Sequence, residues 1–134
     1  MRQVVMTIAF LALISCGSTP AGLAADGTGT VTLAPGETAR TAEGRVPVRF
    51  DDVVTDSRCP TGEQCITAGF AEVVLTAGEG TEAAEYHLFT EGREPRAFTH
   101  AGHTVTLVSL APHPKGSSTI PKAEYRATLE VQRQ

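Results

Sequence analysis

Apolar and polar residues alternate along this chain with a period of two, most cleanly near its end. Tyr125, Ala127, Leu129 and Val131 interleave there with Glu124, Arg126, Thr128 and Glu130. Successive side chains of an extended strand point to opposite faces, so such a run builds a strand with one buried and one solvated face. The same rhythm recurs upstream. Ala71, Val73, Leu75 and Ala77 alternate with Glu72, Val74 and Thr76, and the run stops at Gly78-Glu79-Gly80. Val46, Val48 and Phe50 alternate with Arg45, Pro47 and Arg49, and Tyr86 and Leu88 with Glu85 and His87. Thr30-Val31-Thr32-Leu33 ends at the turn signal Pro35-Gly36, and a short run surrounds Ala97-Phe98-Thr99. No segment combines helical periodicity with caps.

About seven short antiparallel strands separated by Gly/Pro turns predict an all-β chain. The expected form is a two-sheet, immunoglobulin-like β-sandwich, with a small barrel as the alternative. Trp is absent, so the Cys…Trp…Cys spacing of true immunoglobulin domains is missing and the description covers architecture only. Two strands carry signs of irregularity. Pro47 has no N–H for a ladder, which predicts an edge strand or a bulge. Thr104 to Leu110 is apolar on both faces, which predicts a central strand or one with a bulge.

Aromatic residues are only 5% of the chain, so the core rests on Val, Leu and Ala. A small domain with such a core gains from a covalent staple. The formal charge is −4 and no Lys/Arg run occurs. That argues against nucleic acid or an anionic lipid surface as partner, since both require clustered positive charge.

The N-terminus reads as an export segment. Met1-Arg2-Gln3 precedes an apolar run from Val4 to Ile14, about eleven residues and too short to span a bilayer. The segment closes with Leu13-Ile14-Ser15-Cys16, which resembles the lipobox of bacterial lipoproteins. The resemblance implies cleavage before Cys16, acylation of its thiol and amino group, and a lipid anchor in the cell envelope. Gly17 rather than Asp follows the cysteine, which by resemblance to known sorting rules favours the outer membrane where a host has two. The competing reading is an ordinary signal cut after Ala25. On the lipobox reading residues 1–15 are the signal, 16–29 form the lipidated cysteine and a flexible Gly/Pro-rich tether, and 30–134 form the domain.

With Cys16 taken by lipid, Cys59 and Cys65 remain in an exported chain, and a disulfide between them is the default. Closing so short a loop stabilises by about 2 kcal/mol on a chain-entropy argument. The surrounding stretch is Asp56-Ser57-Arg58-Cys59-Pro60-Thr61-Gly62-Glu63-Gln64-Cys65. Asp56 is suited to an Asx-turn, and Arg58 and Glu63 to pairing across the loop. Three readings of this loop stand: a stapled connection, a recognition loop offering Asp56, Arg58 and Glu63 to a partner, or a redox or metal site. The spacing is not Cys-x-x-Cys, and zinc would need ligands that no further cysteine supplies.

The pattern DSRCP-x4-C-x3-G, read from Asp56 to Gly69, resembles that of a group of small exported bacterial lipoproteins. Phe50-Asp51-Asp52-Val53 before it and Phe70-Ala71-Glu72-Val73 after it share the likeness. So do Leu110-Ala111-Pro112-His113-Pro114 and Ile120 to Tyr125. The resemblance implies an all-β lipoprotein domain and brings no activity with it. Thr67 stands where many members of that group carry Trp.

Other chemistry is sparse. His100-Ala101-Gly102-His103 is the most metal-like pattern, with His113 or His87 as further ligands; its alternative is a hairpin turn flanked by solvated histidines. Thioether copper ligation is excluded for the mature chain, because Met1 and Met6 both lie in the signal. No nucleophile elbow supports pairing Ser57, Ser109, Ser117 or Ser118 with a histidine. Asp51 and Asp52 are expected on opposite faces of a strand. The residues together predict a non-enzymatic, cofactor-free, membrane-tethered binding or accessory domain whose partner is a protein or an envelope component. Inhibitors of secreted hydrolases are one subclass that fits. An envelope metal-binding protein using His100 and His103 is the alternative.

Overall fold

The computed structural model describes residues 28–40 and 46–134. Cys16 and the predicted signal lie outside them. Eight strands follow in order: β1 Gly29–Leu33, β2 Thr38–Arg40, β3 Pro47–Asp56, β4 Ala71–Ala77, β5 Ala84–Phe89, β6 Ala97–His100, β7 His103–Ala111 and β8 Arg126–Arg133. Each sheet has four antiparallel strands, in the orders β1-β8-β7-β6 and β2-β3-β4-β5. The predicted sandwich is therefore present, as two open sheets rather than a closed barrel. Among the described residues no helix is long and apolar enough to cross a membrane.

The alternating residues meet between the sheets. Val31, Leu33, Leu107, Leu129 and Val131 of one sheet meet Val48, Phe50, Val73 and Leu75 of the other in one apolar cluster. In β8 the inward residues Ala127, Leu129 and Val131 are completely buried, as the alternation predicts. β7 lies between β6 and β8 and has a register shift between Leu107 and Ser109. Both features expected of it occur together, and the extra residue, Val108, is left exposed.

Of the two alternatives expected for the Pro47 strand, an edge position or a bulge, the bulge is present. Pro47 begins β3, a position that needs no ladder N–H, and β3 is flanked by β2 and β4 rather than at a sheet edge. Yet β2 pairs only with Pro47 to Arg49, so among the described residues the second half of β3 has a flank without a strand neighbour. There the strand carries two register shifts, between Phe50 and Asp52 and between Val53 and Thr55. Strict alternation from Phe50 would send Asp52 and Val54 inward. The first extra residue rephases the strand so that Val53 enters the core, and Val54, the second, is exposed. The same break separates Asp51 from Asp52, which take different partners: Thr76 donates to Asp51 at 2.6 Å, while Lys122 pairs with Asp52.

Candidate functional site

At the end of β3 the chain leaves the sheet through Asp56, and the disulfide loop begins. The Arg58 amide donates to Asp56 Oδ1 at 3.2 Å, the predicted Asx-turn. The Arg58 side chain does not reach across the loop to Glu63. It folds inward, 8% exposed, and meets Asp56 side-on. Nε donates to Oδ1 at 2.8 Å and Nη2 to Oδ2 at 2.6 Å. The same guanidinium donates from Nη1 to the Leu110 carbonyl at 2.6 Å and from Nη2 to the Pro112 carbonyl at 2.9 Å. Tyr125 donates its hydroxyl to Asp56 Oδ2 at 2.9 Å.

The expected Arg58–Glu63 pair is thus replaced by a buried network that ties the start of the loop to the end of β7 and the start of β8. The reason is satisfaction of polar groups. A guanidinium in solvent gains little from one exposed carboxylate, whereas here both charges and two strand-end carbonyls find partners at once. Burial pushes the Asp56 carboxyl up, but the hydrogen bonds from Arg58 and Tyr125 and the charge of Arg58 outweigh it and leave it below the ordinary value of 3.8. For Tyr125, burial, followed by the hydrogen bond to Asp56 and its negative charge, pushes the phenol up to about 12.

These shifts set a pH dependence. A lowered carboxyl contributes stability above its unfolded value and loses it as pH falls through the folded one. A raised phenol contributes fully below about pH 10 and loses it as pH rises towards 12. The network should therefore hold constant between about pH 4 and 10. Urea unfolding across pH should show the acid loss reduced in Asp56→Asn and the alkaline loss reduced in Tyr125→Phe. In a phenolate absorbance titration the late step near pH 12 should disappear with Tyr125. An unchanged titration in Tyr125→Phe would contradict the assignment.

Beyond Arg58 the loop is closed by the Cys59–Cys65 disulfide, with Cα atoms 5.9 Å apart. Its far end returns beside its beginning: the Ser57 amide donates to the Phe70 carbonyl at 2.8 Å, and the Ser57 hydroxyl to the same oxygen at 3.1 Å. Gly69 permits this approach. A Cβ there would lie 1.5 Å from the Ser57 carbonyl oxygen. On the other side, Thr61 donates its amide to the Pro114 carbonyl at 2.9 Å, and His113 Nε2 donates to the Cys59 carbonyl at 2.8 Å. Within this frame every residue from Thr61 to Ala68 is exposed, Glu63 included. Ile66 is the most exposed large apolar side chain of the described residues.

Between this loop and the β7 bulge runs a cleft of about 360 Å³. Cys59 and Ala68 form one wall, Leu107 and Val108 the other, and Arg96 lies along it. Beside the loop's exit, Phe70 and Phe89 meet edge to face at 5.7 Å, and the Arg93 guanidinium lies over both rings at 4.5 and 4.8 Å.

The histidines are dispersed among other partners. His100 and His103 face each other across the β6–β7 hairpin, whose turn is Ala101-Gly102. His100 Nδ1 bonds the Tyr86 hydroxyl at 2.9 Å, and His103 Nδ1 the Ala101 carbonyl at 3.2 Å. His87 lies exposed between Glu72 and Glu85, whose hydrogen bonds raise its pKa. His113 is committed to the disulfide loop. Among the described residues no group of three or more His, Cys, Asp or Glu side chains is placed to hold a metal ion.

Sequence reasoning singled out Asp56 and Arg58 but missed their partner Tyr125 and the cleft residue Arg96. The phase of Tyr125 with Ala127 showed that it points inward. What its hydroxyl meets, 69 residues away in sequence, had no local signal. The site and fold define a disulfide-stapled, two-sheet β-sandwich with one rigid loop displayed at its end. Compared with known proteins, the chain matches no protein family, no curated protein and no solved structure.

Proposed function

We propose that this chain is a lipid-anchored envelope protein, held through Cys16, whose non-enzymatic sandwich presents the disulfide loop to a protein partner. One observation carries the reading. Eight consecutive residues, Thr61 to Ala68, are exposed on a backbone pinned by a disulfide, a buried ion pair and contacts to the 113–115 segment. An irregular loop would ordinarily lose conformational entropy on binding, and a covalently closed one has lost most of it already. Ile66 at its tip supplies an apolar anchor of the kind that fills a pocket on a partner. A closed loop with an apolar tip also suits the inhibitor subclass, in which the loop enters a groove of a secreted hydrolase. The likeness to exported lipoproteins with the DSRCP pattern supports the compartment.

A photo-crosslinking residue at position 66 of the full chain, expressed in cells, should capture one defined protein. Ile66→Asp should reduce recovery of that complex about tenfold or more, the loss of a central apolar anchor costing about 2 kcal/mol. His103→Ala should leave it unchanged. Cys16→Ser should release the chain from the membrane fraction. Equal capture by wild type and Ile66→Asp would remove the loop from the interface, and membrane retention of Cys16→Ser would end the anchor reading.

A further inference from the structure

Two guanidinium groups line the cleft beside the disulfide loop, and they differ in charge compensation. Arg58 is neutralised by Asp56. Arg96 pairs with no carboxylate among the described residues. Its Nη2 reaches the Leu107 and Val108 carbonyls at 3.3 and 3.5 Å, at the long end of hydrogen-bond range. Its Nε is buried without an acceptor, and Nη1 makes no hydrogen bond among the described contacts. A buried donor without a partner is rare and costly. Here it belongs to a cation held against the bulge of β7, in a concavity whose lining includes Cys59, Ala68, Leu107 and Val108 with Thr90 and His113. The Ser109 hydroxyl, also lining the cleft, is a further donor. Glu91 lies at the same cleft and is not paired with Arg96.

We infer that the cleft is a binding site for a carboxylate carrying a small apolar body, with Nη1 of the Arg96 guanidinium as its anion partner. One uncompensated cation matches one monoanion, with a charge-assisted hydrogen bond from Nη1. A phosphate, with close to two negative charges, would find only half its complement here, on a protein whose own charge is already negative. The aliphatic walls account for the apolar body, and the volume limits it to about the size of one amino acid residue with its immediate neighbour. Two sources share this chemistry: a free small acid and the C-terminus of a peptide. Glu91 acts as a competing anion at the rim, lowering affinity for any acidic ligand. This site is adjacent to the displayed loop and does not depend on Ile66.

The test is titration of the full chain, followed through the Arg96 Nε–H resonance and by calorimetry. The probes are N-acetyl-leucine, a hexapeptide ending in leucine with a free carboxylate, and the same hexapeptide amidated. A saturable shift with an acid, at least tenfold weaker with the amide and absent in Arg96→Met, is expected. Glu91→Gln should tighten binding about two- to threefold. Equal affinity for both acids assigns a free small acid, and tighter binding of the hexapeptide assigns a peptide terminus. Arg96→Lys, which keeps the charge, separates loss of the site from loss of the fold, with thermal unfolding run on each variant. Absence of any shift with either acid, or equal binding of acid and amide, overturns the site. Ile66→Asp should bind the acid normally, so failure here and failure of the loop as a partner surface give different results.

Discussion

Replacing Arg58 with alanine should cost about 3–5 kcal/mol of folding stability, the range for breaking one partner of a buried ion pair. The geometry explains why so much rests on one side chain. Its removal leaves the Asp56 carboxylate at 10% side-chain exposure with Tyr125 as its remaining side-chain donor. It also strips the Leu110 and Pro112 carbonyls of their Arg58 hydrogen bonds. Such a loss is a large share of the roughly 5–15 kcal/mol that holds a typical domain together. Urea unfolding should show a lower midpoint with an unchanged slope, since the same surface is exposed on unfolding. The double variant Arg58→Met with Asp56→Leu should be less destabilised than Arg58→Ala, because no charge is then left buried alone. It should still fall short of wild type, because the two strand-end carbonyls lose their donors in both. A loss under about 1 kcal/mol in Arg58→Ala would mean that the pair behaves as an exposed one.

Gly69→Ala should destabilise by about 3–5 kcal/mol, for a different reason. Nothing about the backbone angles of Gly69 demands glycine; what demands it is the Ser57 carbonyl oxygen, 1.5 Å from where a Cβ would sit. The clash is with backbone and cannot be relieved by a rotamer change. The two ends of the loop must therefore separate, at the expense of the Ser57–Phe70 hydrogen bonds. Overpacking of this kind typically costs about 1–3 kcal/mol, to which the broken bonds add about 1 kcal/mol each. Gly62→Ala is the matched control. Gly62 has a positive φ of 86° but open space around it, so only backbone strain of about 1 kcal/mol applies. Hydrogen exchange should show the Ser57 and Phe70 amides losing protection in Gly69→Ala and retaining it in Gly62→Ala. Equal destabilisation of the two variants would show that close approach is not what glycine provides at position 69.

The two residues were unequally legible. Arg58 was visible as a polar residue in a cysteine-rich stretch, and its assignment to Glu63 followed from proximity along the chain. Its true partners come from the ends of β3, β7 and β8, and only Asp56 among them is a sequence neighbour. Gly69 stood out as part of the DSRCP-x4-C-x3-G pattern, but its reason is a contact with residue 57, twelve positions earlier. Within β3, alternation led to inward positions at Val48 and Phe50 and then failed, because two bulges insert residues that no local rule announces. The bulges are explained by the chain around them: among the described residues the flank of β3 beyond Arg49 lacks a strand partner, and bulges bend such a strand.

What the sequence determined by itself was periodic and local. Alternation settles which face is buried where a strand runs without a bulge, as in β8, Gly and Pro settle where strands stop, and two cysteines six positions apart settle the staple. These follow from the geometry of an extended chain and of a short closed loop, and they act within a few residues. Tertiary structure alone decided the pairing of the two sheets, the inward turn of Arg58 onto Asp56 and Tyr125, and the position of Arg96 beside the loop with no carboxylate partner among the described residues. Each of those depends on which polar groups from distant segments are left without water together. Burial and hydrogen bonding then choose partners by distance in space rather than in sequence.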